Sequence, residues 1–148
     1  MAYNPNNPNG QATSANSAPV VIASDQSAVN TSLQEVATGG ATVFHLVSTA
    51  STNANNIKAS AGKVTGWYIY NSNGTARKVA FHNTAGTPTA GASVYFSIVI
   101  PALSGANCPF PAGINFSTGI AITTTTGLPD SDATAVAAND LIINIFYK

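Results

Sequence analysis

Between residues 42 and 147 apolar and polar positions alternate in short runs, and a period of two sets successive side chains on opposite faces of a β-strand. Ser93 to Ile100 alternates most cleanly, with Val94, Phe96, Ile98 and Ile100 on one face and Ser93, Tyr95, Ser97 and Val99 on the other. Thr42 to Ser48 sets Phe44 and Leu46 against Val43, His45 and Val47. Asp140 to Tyr147 sets Leu141, Ile143, Ile145 and Tyr147 against Ile142, Asn144 and Phe146; with both faces largely apolar, this strand is predicted to be central or buried in a subunit contact. Val64 to Tyr70 and Arg77 to His82 are two further strands. The turn Asn71-Ser72-Asn73-Gly74-Thr75 between them contains an Asn-Gly step, which supplies the positive φ angles of a tight hairpin. In that predicted hairpin Trp67, Ile69, Val79 and Phe81 face a core and Tyr68 and Tyr70 face away from it.

Asn55 to Ser60, Ile114 to Phe116 and Gly119 to Thr125 read as shorter strands, and Leu128 to Asp132 as a turn. Asn83 to Gly91 and Gly105 to Gly113 read as loops, the second because Pro109 and Pro111 cannot donate to a central ladder. Roughly eight short strands separated by Gly, Pro and Asn turns, with no amphipathic helix, predict an all-β fold, an antiparallel jelly roll or β-sandwich. Residues 1–40 follow another rule. Residues 1–18 hold almost nothing to bury, so they cannot offset the entropy of ordering by themselves. Pro19-Val20-Val21-Ile22 is an isolated apolar run that needs an edge to pair with, and Leu33 to Val36 is at most one helical turn before Gly39-Gly40. The expected organisation is an extended N-terminal arm or linker over 1–40 and a jelly-roll β-domain over 41–148.

Charge narrows the classes of partner. Five Lys or Arg balance five Asp or Glu, and only 7% of residues are charged, against about 25% in typical soluble domains. Lys58, Lys63, Arg77, Lys78 and Lys148 are too few and too spread along the chain to form a phosphate-binding stripe, so no nucleic acid is expected. A chain with so little electrostatic protection against association is expected in an assembly. Met1 to Gly10 has neither a basic nor an apolar leader region, and Val94 to Leu103 is about half the ~20 residues that span a bilayer. Synthesis as a soluble protein, with no membrane partner, is therefore expected.

No arrangement of residues argues for chemistry. His45 and His82 lie on predicted strands without the Cys, Asp or Glu spacing of a metal site. Cys108, the only cysteine, stands between Asn107 and Pro109 with no local signature of a nucleophile and is read as an inert thiol. Asp130-Ser131-Asp132 lacks the glycine and the terminal carboxylate of a calcium loop. The expectation is a protein with no catalytic residues, no metal and no cofactor.

Two parts of the chain resemble a known group. The segment from Asn9 to Val29, NGQATSANSAPVVIASDQSAV, resembles one that recurs in structural proteins of tailed bacteriophages. Ile57 to Gly62, Gly66 to Asn71, Ile98 to Pro101, Gly113 to Gly119 and Asp132 to Lys148 resemble blocks of a phage virion β-domain, whereas Cys108-Pro109-Phe110-Pro111 departs from it. The resemblance implies a virion structural protein of the head decoration (cement) or capsid fibre type. Such a protein is made in the host cytoplasm and assembles as a homotrimer of jelly rolls on the outer head surface. It also implies partners, the major capsid protein or other virion proteins, with Pro19, Val20, Val21 and Ile22 in the partner-binding arm. Tyr68, Tyr70, Ile142 and Phe146, which alternation sets away from the core, are the expected subunit interface. The second reading is a tail-fibre or receptor-binding adhesin module, whose loops Thr84 to Gly91 and Ser104 to Gly113 contact host surface glycans through Phe110 or nearby tyrosines.

Overall fold

The computed structural model describes residues 40–148, and among these every regular element is a strand. In chain order they are β1 (Thr42–Val47), β2 (Asn55–Lys58), β3 (Gly62–Asn71), β4 (Arg77–Asn83), β5 (Phe96–Ile100), β6 (Ser104–Phe116), β7 (Ile120–Thr125) and β8 (Leu141–Tyr147). They form two antiparallel four-stranded sheets, one ordered β1-β8-β3-β6 and the other β2-β7-β4-β5, which pack as a β-sandwich. Four of the pairings nest one inside another: β1 with β8, β2 with β7, β3 with β6, and β4 with β5. Pro19, Val20, Val21, Ile22 and the turn at Leu33 to Val36 lie outside the described residues.

Alternation correctly places Ile69 from β3, Val79 and Phe81 from β4 and Ile143 and Ile145 from β8 in the core, and these are fully buried between the sheets together with Ile122 from β7. Val64 is fully buried as well, although alternation sets it on the face of Tyr68 and Tyr70, because the irregularity at Thr65 shifts the strand by one residue. Aromatic rings fill the middle: Phe81 stacks on Phe96 with centroids 4.5 Å apart, and Trp67 lies 6.0 Å from Phe81. Such contacts add to the free energy of burial itself, because offset and tilted rings align quadrupoles favourably.

The predicted hairpin of Val64 to Tyr70 with Arg77 to His82 does not form. β3 pairs with β6 and β8, β4 pairs with β5 and β7, and the two strands face one another across the core in different sheets. Asn71 is the physical reason. Its side chain is fully buried, and its amide Nδ2 donates to the carbonyls of Thr75, Ile100 and Pro101, which pins the turn as a crossover between sheets. The Asn-Gly step carries no memory of which strand it will join to which.

The predicted loop at Gly105 to Gly113 is instead part of β6. Its prolines are tolerated because β6 is the outer strand of its sheet and pairs only with β3, so the missing N–H groups leave no ladder bond unmade. Gly66 faces Pro109 and Val64 faces Ile114, so residues 110–113 oppose Thr65 alone and swell out of the ladder. Gly66 is required there, because a Cβ would lie 2.9 Å from the Cys108 carbonyl oxygen. The predicted strand from Ser93 starts later, at Phe96, since Ser93 adopts a φ of 50° in the loop that precedes it.

The two outer faces of the sandwich differ. On the second sheet Lys78 and His82 point away from the core, yet both are buried. The Thr84 to Tyr95 loop closes over His82, and the loop after β7 closes over Lys78, whose Nζ donates to the Pro129 carbonyl and lies 3.7 Å from Asp130. The loops meet at Gly91, which has a φ of 80° and would carry a Cβ 2.6 Å from the Ser131 carbonyl oxygen. Nothing among the described residues covers the first sheet in this way.

Candidate functional site

The uncovered face of the first sheet gathers all four residues expected at a subunit interface. Register places Tyr70 beside Ile142, and Tyr68 beside Asn144, with Phe146 one step further along the same face of β8. β1 extends the rows, with Val47 beside Ile142, His45 beside Asn144 and Val43 beside Phe146. Val43, Tyr68, Val47 and Ile142 are all exposed, Val43 at 54% and Tyr68 at 49%. No Lys, Arg, Asp or Glu occupies these rows on β1, β8 or β3, and Asn107 and Pro109 extend them onto β6 without adding a charge. Apolar rows at Val47, Ile142 and Tyr70 and at Val43, Phe146 and Pro109 flank a polar row of His45, Asn144, Tyr68 and Asn107, and formal charge enters only at the end of the face, at Lys63 and Lys148. Contiguous exposed apolar patches on monomers seldom exceed a few hundred Å², which makes this face a candidate contact surface.

Its one imidazole is tied down. His45 Nδ1–H donates to Asn144 Oδ1 at 2.9 Å, the only direction that pair permits, since an amide oxygen cannot donate. Beside this pair lies a hollow of about 630 Å³, lined by Ala41, Thr65, Gly66, Tyr68, Pro109 and Phe146. It exists because Gly66 contributes no side chain between Phe146 and Pro109. Its lining is mostly carbon, so it suits an apolar side chain better than a polar metabolite.

The remaining candidates fall apart on geometry. Cys108 stands beside Trp67 in the β3–β6 ladder, and its Sγ reaches only the Pro109 carbonyl, at 4.0 Å. His45 and His82 lie on different sheets, and no group of three His, Cys, Asp or Glu side chains that could hold a metal occurs among the described residues. Asp130 accepts from Ser97, and Asp132 accepts from Gly127 N–H and Thr134, so both serve loop structure. Phe110, the expected glycan contact, packs against Trp67 with ring centroids 5.1 Å apart.

His82 carries a pH dependence of the fold. Burial lowers its pKa from the ordinary 6.5, outweighing hydrogen bonds to the Ser93 and Ala92 backbone, and the Lys78 charge lowers it further. Below about pH 6.5 the unfolded chain takes up a proton that the folded chain resists, so the stabilisation is full above that pH and is lost as pH falls toward the lowered value. Thermal melts between pH 7.5 and 5.0 are expected to show a falling Tm, and His82→Gln to flatten that slope; an equal slope in the variant assigns the loss elsewhere.

One arrangement was not readable from the sequence. Lys58 ends β2, Lys63 begins β3 and Lys148 follows β8, and the fold brings all three to one end of the sandwich. Lys63 and Lys148 exchange two backbone hydrogen bonds, of 2.8 and 2.9 Å, and a Cβ on Gly62 would lie 2.9 Å from Lys58 Cδ and 2.5 Å from the Lys148 carbonyl oxygen. The only available signal was that each lysine sits at a strand terminus; which termini coincide is decided by the pairing. The other two cations, Arg77 and Lys78, are buried and paired with Asp140 and Asp130.

Comparison with protein-family profiles, with curated proteins and with solved structures finds no match for this chain.

Proposed function

We propose that this chain is a non-enzymatic structural protein of a tailed-bacteriophage virion, a decoration protein that binds the outer surface of the head as a homotrimer and stabilises the shell. The observation that carries the reading is the uncovered, uncharged face around Tyr68, Tyr70, Ile142 and Phe146, set against a second sheet covered by the chain's own loops. A face of that composition loses free energy of hydration when subunits meet across it, at about 25 cal/mol per Å² of apolar area buried. We read the sandwich as a jelly roll, supported by the nested pairing of β1 with β8, β2 with β7, β3 with β6 and β4 with β5. The resemblance of Asn9 to Val29 to a recurrent virion segment supports a role for the arm, and an arm that orders on binding can staple neighbouring capsid subunits. The adhesin reading draws less support, since Ser104 to Gly113 belongs to β6 and Phe110 packs on Trp67.

The full chain and a version lacking residues 1–30 test both halves. Both are expected to sediment as trimers, while only the full chain adds to protein-stripped heads and raises their melting temperature. A monomeric full chain overturns the trimer, and equal head binding by the truncated version removes the arm from the mechanism.

A further inference from the structure

The lysine end of the sandwich is the most polarised feature among the described residues. Residues 40–148 contain five cationic and three carboxylate side chains. Two of the cations are buried and satisfied within the fold, so the remaining three all stand at one end. Asp140 is held at the opposite end, where β3 finishes and β8 begins, and Asp130 and Asp132 are engaged in the loop over the second sheet. Lys63 and Lys148 are exposed and Lys58 is half-buried, and none has a carboxylate within salt-bridge distance among the described residues. A terminal carboxylate on Lys148 would offset one of the three charges and leave the end cationic. In a chain that avoids charge almost everywhere, three lysines gathered at one end stand out, and an anionic partner would offset their charge.

We propose that the Lys58–Lys63–Lys148 end is a docking surface for a partner protein that presents a carboxylate-rich patch. Three lysines are fewer than the six to ten phosphate contacts typical of firm duplex binding and fewer than the four to eight basic residues of an anionic-lipid cluster. They are sufficient to orient a protein–protein encounter, where complementary charge at the rim of an interface governs approach and register more than total affinity. Within the decoration reading, on which the partner's identity rests, this end faces the shell and the apolar sheet face is left for subunit contacts.

Two probes test the inference with the full chain. The first is poly-L-glutamate immobilised on a resin, compared for the wild type, for Lys58→Gln/Lys63→Gln/Lys148→Gln, and for Ala102→Glu/Ala133→Glu/Ala138→Glu, which changes net charge equally at exposed positions elsewhere. The wild type and the alanine-site variant are expected to bind at 50 mM salt, with the lysine variant at least tenfold weaker; equal weakening of both variants shows that net charge alone acts and overturns the inference. The second probe is protein-stripped heads. Loss of head binding in the lysine variant, with restoration by Lys→Arg at the same three positions, supports the docking surface. Head binding unchanged in the lysine variant overturns it while leaving the decoration reading intact, whereas failure of the wild type to bind heads overturns that reading and leaves the poly-L-glutamate result to judge the lysines. Tighter lysine-dependent binding to duplex DNA or to anionic vesicles than to poly-L-glutamate overturns the assignment to a protein partner.

Discussion

Asp140→Ala is expected to lower the stability of the β-sandwich by about 3 kcal/mol, because it strands a buried guanidinium. Arg77 Nε donates to Asp140 Oδ2 at 2.7 Å, with the two side chains only 10% and 7% exposed. The pair joins β4 of one sheet to the start of β8 in the other, next to the Asn71 crossover. Burial by itself would raise the Asp140 carboxyl. Hydrogen bonds from Arg77, Asn73 Nδ2 and the Ala137 N–H, with the Arg77 charge, outweigh it and hold the pKa below the usual carboxylate range. The stabilisation is therefore complete above the unfolded-state pKa near 4 and is lost as pH falls through the lowered value. For a domain of this size a loss of about 3 kcal/mol lowers Tm by on the order of 10 °C. Arg77→Met/Asp140→Leu is expected to recover most of it, since an apolar pair of similar volume avoids the desolvation of both charges. A single Asp140→Ala variant that melts like the wild type would show that the pair contributes nothing measurable.

For the proposed homotrimer, Tyr70→Asp/Ile142→Asp is expected to yield 15.0 kDa monomers that keep the fold. The two residues are direct neighbours across the β3–β8 ladder and point away from the core, so neither carboxylate enters the interior. Carboxylates set opposite one another across every copy of a contact must be desolvated there, and breaking even part of such a contact costs several kcal/mol. Sedimentation and circular dichroism together decide the point. An assembly that persists in the double variant removes this face from the subunit contact, and a loss of β signal makes it part of the fold instead.

Much of the sandwich was legible because alternation is a local property. The inward residues of β3 from Trp67 onward and those of β4 and β8 were identified from period two alone, as were the four outward residues now found on one face, whereas the irregularity at Thr65 turns Val64 inward against the alternation. Pairing is not local, and this is where the reading failed. An Asn-Gly turn looks the same whether the chain folds back beside itself or crosses to another sheet, and only the inward-facing Asn71, bonded to Ile100 and Pro101 far along the chain, decides between them. Prolines marked Gly105 to Gly113 as a loop because their exclusion holds for strands paired on both sides, and the sequence does not say that β6 is paired on one. The lysine end was hidden for the same reason, since positions 58, 63 and 148 become neighbours only through register.

The proline-bearing margin of β6 also limits how the molecule can grow. Pro109, Pro111 and the swelling at residues 110–113 spoil the row of donors that an added strand would need, so that margin is closed to templating by another chain. The other outer strands, β1, β2 and β5, carry no proline, so strand addition, where it occurs, is directed to those margins rather than to the proline-bearing stretch of β6.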